Sequence, residues 1–390
     1  MTTTADRNIR LLNILTSLYG FRAFEGVLAV YFATISGSFA LGMTVLAVIN
    51  LSASFFEIPT GVLSDAIGRK KTAILHYLAS TLSILFVYIA KDTTFLIIGA
   101  VLMGLSMALK SGALSAFVYE NLEVLNKTDQ FKRVEGRRLA LMRYALMTAG
   151  LCGTLLIYFY TIQTAILLTL IASALALLLS LFLKDIRVYT PDSTNVYSDL
   201  KRAWNLFADN RALRNLSLGR IISRGAGNAE YRFRALFFSA IMPEWLVNLL
   251  GIINNLFSGV AMHTTHWIVE RIGIVRSLVH MEILDRILTS VFVAINTVTS
   301  GVLMSITSSI TYGTREIASE DLLQEHYEKT QRATMGSLVG LTGSLLYGIV
   351  AILLGLVTDE IGLMNTMLLM QGVLLLTPFF FYRGIRLARS

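Results

Sequence analysis

The chain has 390 residues, 55% of them hydrophobic and 15% charged, with a mean hydropathy of +0.65. Soluble domains carry about 25% charged residues, so the composition excludes a soluble globular protein and points to the membrane along the whole length. The formal charge of +8 does not point to nucleic acid, because Lys and Arg cluster in alternate turns: Arg7 and Arg10, then 69–71, 127–138, 184–214 and 383–389.

The turns between those clusters are nearly free of basic residues, Lys91 being the exception. That asymmetry places both termini in the cytoplasm of a multi-pass protein of the cell inner membrane. Cys152 is the single cysteine, which leaves no intramolecular disulfide and no cysteine metal cluster. The N-terminus has no small-residue cleavage site, so the first apolar stretch is expected to be a retained helix.

Twelve spans of about 20 residues each need roughly 240 residues, which fits this length with short loops. The first span is expected over 8–34, followed by an outer turn at Ser36-Gly-Ser-Phe. The second covers 40–61 and the third 72–90, with a basic turn between them. Lys91-Asp-Thr-Thr forms the next outer turn, and the fourth span covers 95–119. A charged inner loop, 120–138, leads into the fifth span, to about 159, and the sixth, to 183. The longest polar stretch then divides the chain. Within it Val196, Leu200, Trp204 and Phe207 recur at helical spacing behind Asp192 or Ser193, which predicts a surface helix.

The seventh span is expected over 213–241, ahead of Pro243, and the eighth over 246–268. The ninth and tenth occupy 275–317 with a turn near Asn296. A charged cytoplasmic stretch at 320–332 precedes the eleventh (335–357) and twelfth (363–382). The expected fold is an all-α integral membrane protein of twelve transmembrane helices in two pseudo-symmetric six-helix bundles, 1–183 and 213–390, joined by a cytoplasmic linker at 184–212.

An internal repeat supports the two halves. A shift of 205 positions aligns Gly20 with Gly225, Glu25 with Glu230, Asn50-Leu51 with Asn255-Leu256, Asp65 with Glu270, Ile67-Gly68 with Ile272-Gly273 and Lys71 with Arg276, without a gap. Parallel repeats of this kind are one way transporter folds are built.

The turn Gly61-Val-Leu-Ser-Asp65-Ala-Ile-Gly68-Arg69-Lys70-Lys71 resembles the loop between helices 2 and 3 of the major facilitator superfamily. Glu57-Ile-Pro-Thr-Gly61, Lys110-Ser-Gly-Ala, Glu120, Glu135-Gly-Arg137 and Gln331-Arg332-Ala-Thr334 extend the resemblance to a bacterial branch. It implies a transporter whose cytoplasmic gate includes Glu57, Gly61, Asp65, Gly68, Arg69 and Lys70, with Asp65 locking the inner side. Asp65 also lies four residues before Arg69, close enough to pair. Two departures stand out. Drug/proton antiporters of the family carry an Arg four residues before a Gly in helix 4, where this chain has Ala108 or Ala100, and a Gly-Pro pair in helix 5, where Ala149-Gly-Leu-Cys-Gly153 lacks proline. A similar stretch, Gly355-Leu-Val-Thr-Asp359-Glu-Ile-Gly362, falls on the outer side by helix count with no basic residue after it, and reads as an ordinary Asp/Gly turn.

Charged residues inside the spans are the functional candidates, because each costs roughly 2.5–3.5 kcal/mol at the bilayer centre and must face protein or water. They are Arg22 and Glu25 in the first span, Lys110 in the fourth, and Arg220, Arg224, Asn228, Glu230 and Arg232 in the seventh. Since the resemblance implies that helices 1, 4 and 7 line a central cavity, Arg22, Glu25, Lys110, Arg220, Arg224, Asn228 and Glu230 are expected there, with a structural salt-bridge network as the alternative. Cations outnumber carboxylates in that set, which points to an anionic substrate bound by guanidinium groups, with Glu25 or Glu230 as the proton-coupling site. Glu282, Asp285 and Arg286 in the ninth span read as a self-neutralising structural group. His263 and His266 are one turn apart with no third ligand nearby, so no metal site is expected.

No nucleophile–base pair and no phosphate-binding glycine motif is present in the sequence, so neither an enzyme nor an ATP-driven pump is expected, and no cofactor is called for. The expected partners are the lipid bilayer, a small-molecule substrate and protons, for a monomer that binds no nucleic acid. The expected function is a secondary active transporter working by alternating access, proton-coupled and oriented towards export. An uncoupled facilitator, an importer of a peptide or carboxylate and a transporter-fold sensor are the alternatives. The peptide alternative rests on Tyr19-Gly-Phe-Arg22-Ala-Phe, which resembles part of helix 1 in oligopeptide transporters but lacks their upstream acidic residues.

Overall fold

A computed structural model describes residues 2–186, 207, 210–327 and 332–389. Among them the regular structure is helical. Nine helices are long and apolar enough to cross a membrane. The expected seventh, ninth and tenth spans are helical too, at Arg211–Ser239, Arg276–Ile295 and Val298–His326, but they carry the buried charges and fall short of that apolarity. The helix predicted over Val196, Leu200 and Trp204 lies outside the described residues.

The chain divides into two compact units. Unit 1 contains Met1–Gly37, Val45–Asp192 and Glu244–Leu249; unit 2 contains Ser38–Thr44, Ser193–Pro243 and Leu250–Ser390. Each has its own apolar core. In unit 1 Leu12, Leu15, Tyr77, Phe117 and Leu122 pack together, and in unit 2 Leu213, Leu216, Leu278, Met335 and Phe381 do so. Helix faces away from these cores are also apolar. Leu345, Ile349, Leu353 and Leu356 form an exposed stripe on one helix, and Leu284, Ile287, Val291 and Ile295 form another. On the second of these the opposite face buries Glu282, Asp285, Arg286 and Thr289. Charge inside and leucine outside is the pattern expected where hydrocarbon is the solvent.

The repeat read from the sequence is visible in the backbone. Gly68 and Gly273 have φ of 88° and 84° with ψ of 156° in both, a region essentially restricted to glycine. Gly68 N–H donates to Ser64 O and Gly273 N–H to Val269 O; Thr72 and Ser277, one turn on, donate back to the two glycine carbonyls. All of these positions are related by the 205-residue shift. The turn at Gly362, set apart by the sequence as ordinary, has the same form: φ 81°, ψ 165°, with Thr366 N–H donating to Gly362 O. Its aspartate also has a defined role. Asp359 accepts from Ser38 Oγ at 2.6 Å, Phe39 N at 3.0 Å and Ala40 N at 3.1 Å, capping the helix Phe39–Ile67. A carboxylate there satisfies N–H groups that have no partner within the helix.

Two helix limits differ from the sequence reading. The first span is interrupted: Thr2–Gly20 ends, residues 21–24 are non-helical, and a short 3-10 turn Glu25–Val27 leads into Leu28–Ser36. Backbone freed inside a membrane needs partners, and it has them. Ala23 N–H donates to Thr169 Oγ1 at 3.0 Å, Asn248 Nδ2 donates to Ala23 O at 3.2 Å, and Gly26 N–H donates to Asn248 Oδ1 at 3.1 Å. Gly153 lies directly against this break, where a Cβ would sit 1.7 Å from Ala23 O. The tenth span runs to His326 and not to Ile317. Of the acidic residues expected in the loop that follows, Glu320 lies in this helix 3.3 Å from Arg220 of the seventh span.

Candidate functional site

In unit 1 the interrupted first span places Arg22 and Glu25 beside each other, Nη1 to Oε2 at 3.7 Å, although the helical face expected to align them is broken. Tyr19 sits in the last turn before the break. The Arg22 guanidinium and the Lys110 ammonium each lie over its ring at 4.8 Å from the centroid. His76 packs against the same ring at 4.7 Å and is fully buried, with Nδ1 2.8 Å from Ser106 O. Arg22 and Lys110 therefore gather around one aromatic residue, sharing it by cation–π contact, and Glu25 joins them through Arg22. Tyr19 and His76 are not singled out as site residues by the sequence, since a Tyr and a His in apolar helices carry no local signal of what they face.

The basic turn forms a separate cluster in unit 1. Arg69 reaches Asp65 at 2.9 Å, Glu120 at 3.2 Å and Ser64 Oγ at 2.7 Å. The i,i+4 pairing read from the sequence is present, and Glu120 joins it from the inner end of the fourth span.

In unit 2 the seventh span is broken by a π-turn at Ser223–Gly227, a feature common at functional sites. Gly225 lets the helix Arg332–Ile361 pack closely against this turn, since a Cβ there would lie 2.7 Å from Leu346 Cβ and 2.9 Å from Gly343 O. Below the turn, Arg220 is buried and bound bidentately by Glu316, with both N–O distances 2.6 Å. Ser319 Oγ at 3.1 Å and Glu320 at 3.3 Å complete its surroundings. Arg224, on the π-turn, makes no ion pair among the described residues. It lines a cavity of about 290 Å³ together with Arg220, Glu316, Glu320 and Tyr327, with Ile317, Leu323 and Val339 as apolar walls. Burial pushes the Tyr327 phenol up to about 12, so it stays protonated and able to donate.

Glu230 is not among the residues lining that cavity. It belongs to a fully buried network. Arg234 binds it at 2.6 and 2.9 Å, Gln371 Nε2 lies 3.4 Å away and Arg286 at 4.0 Å. Arg286 also contacts Asp285 at 2.5 Å, Glu282 at 3.4 Å and Gln371 Oε1 at 2.8 Å, while Glu282 is paired with Arg315. Glu230, Glu282 and Asp285 are thus balanced by Arg234, Arg286 and Arg315. The sequence groups Glu282, Asp285 and Arg286 as self-neutralising; the structure adds Glu230 to them. Sequence reasoning misses Arg234, Arg315, Glu316 and Gln371, because their partners lie mostly on helices far away in sequence.

The sequence matches the family profile of the Major Facilitator Superfamily over residues 11–383. The chain belongs to the Major Facilitator Superfamily. Solved superfamily-type transporters share its fold. The nucleoside transporter NupG is 14% identical with a TM-score of 0.77, the match covering 98% of this chain and 99% of that one. A POT family transporter in complex with 5-aminolevulinic acid is 13% identical with a TM-score of 0.74, covering 98% and 96%. A bacterial homologue of the human lysosomal transporter Spinster is 14% identical with a TM-score of 0.72, also covering 98% and 96%. None of the curated proteins compared matches the sequence. The chain is thus a multi-pass membrane transporter of the superfamily, with the all-α fold of twelve transmembrane helices in two six-helix bundles.

Proposed function

We propose that this superfamily member is a proton-coupled secondary transporter that exports a small, carboxylate-bearing organic molecule from the cytoplasm by alternating access, as a monomer in the cell inner membrane with both termini inside. The observation that carries the anionic substrate is Arg224. The buried arginines of unit 2, Arg220, Arg234, Arg286 and Arg315, are each paired with a carboxylate, whereas Arg224 is exposed at a cavity and makes no ion pair among the described residues. A guanidinium kept in that position has the geometry to grip a carboxylate through two N–H groups. Within unit 1, Arg22 and Lys110 form a cationic pair around Tyr19.

Glu25 is the coupling residue in this reading. It pairs with Arg22 at 3.7 Å and is partly exposed, so its protonation loosens that pair at little structural cost. Glu230 is locked to Arg234 and Gln371 and serves as scaffold. Asp65, with Arg69 and Glu120, forms the inner gate that the family motif implies. The similar transporters for nucleosides and of the POT family, the latter with 5-aminolevulinic acid bound, support a small polar organic substrate. The direction rests on the bacterial branch that the motif resembles, and accumulation in everted vesicles under a proton gradient checks it.

The test is a thermal-stability screen of the purified protein against carboxylates, neutral nucleosides and cationic drugs. A true ligand stabilises by RT ln(1 + [L]/Kd). Carboxylates are expected to raise the melting temperature and to lose that effect in Arg224→Ala. Stabilisation by cationic drugs alone would refute the anionic reading.

A further inference from the structure

The cavity that holds Arg224 also presents a carboxylate. Glu320 lines it, and its side chain is 46% exposed. It is 3.3 Å from Arg220 and accepts from Gln324 Nε2 at 2.9 Å. Arg220 holds Glu316 through two bonds of 2.6 Å, closer than its single contact with Glu320. The charges lining the cavity are Arg220 and Arg224 against Glu316 and Glu320, two of each sign, and the lining is neutral overall.

That balance constrains the ligand. A simple anion paired with Arg224 would leave the site with a net negative charge. A ligand with one negative and one positive end keeps the sum at zero. The two charges of the ligand also find separate partners, because Arg220 and Glu316 are committed to each other.

We infer that the substrate is a small zwitterion, its carboxylate bound by Arg224, its ammonium group by Glu320 and its carbon chain lying along the apolar wall between them. This rests on the assignment of Arg224 to the carboxylate in the proposed function and adds the amine. The volume of about 290 Å³ lies at the lower end of ligand sites and suits a molecule with few carbons.

A matched series separates the two readings. Purified protein in detergent is titrated with ω-amino carboxylates of four to eight carbons, the corresponding unsubstituted carboxylates and the corresponding alkylamines, with binding read by calorimetry and by melting temperature. At least one amino carboxylate is expected to bind ten-fold or more tightly than its carboxylate and amine counterparts. Glu320→Gln is expected to erase that preference while keeping carboxylate binding, and Arg224→Ala to lose both. Equal binding of carboxylate and amino carboxylate would overturn the zwitterion and leave the anionic reading standing. Equal or tighter binding of the alkylamine would overturn both. Failure of every amino carboxylate in the series to bind would overturn the zwitterion, and the carboxylate arm would then judge the anionic reading alone. The ranking in the unaltered protein carries the test even if a variant is unstable.

Discussion

Arg220 and Arg224 stand one helical turn apart, yet Arg220 is paired with Glu316 while Arg224 makes no ion pair among the described residues, and stability measurements separate the two. Arg220 is 2% exposed, with Glu316 at 23%. Removing one partner of a buried ion pair costs about 3–5 kcal/mol, because the other charge is left uncompensated. Here Ser319 and Glu320 remain near Arg220, so Glu316→Gln is expected to cost about 3 kcal/mol, the low end of that range. Arg220→Met should cost a similar amount by stranding Glu316. In the double variant neither charge remains, and the loss should be about that of one single variant, a coupling of about 2–3 kcal/mol. Arg224→Ala removes no ion pair and should fall within about 0.5 kcal/mol of the unaltered protein. Equilibrium unfolding of the four variants and the unaltered protein in a mixed detergent system, read by circular dichroism, gives these numbers. Additive losses in the double variant, or an Arg220→Met variant as stable as Arg224→Ala, would refute the reasoning.

Three further outcomes follow from the geometry. Glu25→Gln should abolish accumulation driven by a pH gradient in proteoliposomes while leaving exchange of substrate intact; retained pH-driven accumulation would remove Glu25 from coupling. Asp359→Ala takes away the cap of the helix Phe39–Ile67 and should lower stability by about 1 kcal/mol, seen as faster hydrogen exchange at Phe39 and Ala40, whereas Asp359→Asn should lose less. Gly153→Ala drives a Cβ to 1.7 Å from a backbone oxygen and should abolish folded expression, while Gly259→Ala, with nothing within 4 Å of its Cβ, should be tolerated; equal expression of the two would contradict the packing at the first-span break.

Much of the architecture is legible in the sequence because membrane spans and their turns are local signals. Gly68 and Gly273 can be paired by a simple shift, and their backbones agree to within a few degrees in φ. Asn296, expected only as an ill-defined turn, is the left-handed cap between the ninth and tenth spans. The interruption at 21–24 is not legible. Phe21-Arg-Ala-Phe carries no glycine or proline, and the break is decided by Asn248, Thr169 and Gly153 from distant parts of unit 1. The end of the tenth span escapes the sequence for a related reason. Glu320 looks like loop until the helix Val298–His326 is seen to carry it past Arg220. The division of the seventh-span charges into a saturated group and a cavity group likewise depends on helices far away in sequence, as with Glu230 and Gln371.

Arg224 as the carboxylate-binding group is the central assignment. Counterflow of a labelled carboxylate ligand from the stability screen, measured in proteoliposomes, compares the unaltered protein with Arg224→Ala and Arg224→Lys. A half-saturation concentration raised at least ten-fold by Ala and less by Lys, in protein of unchanged melting temperature, is the predicted result. Unchanged half-saturation in the Ala variant would contradict it.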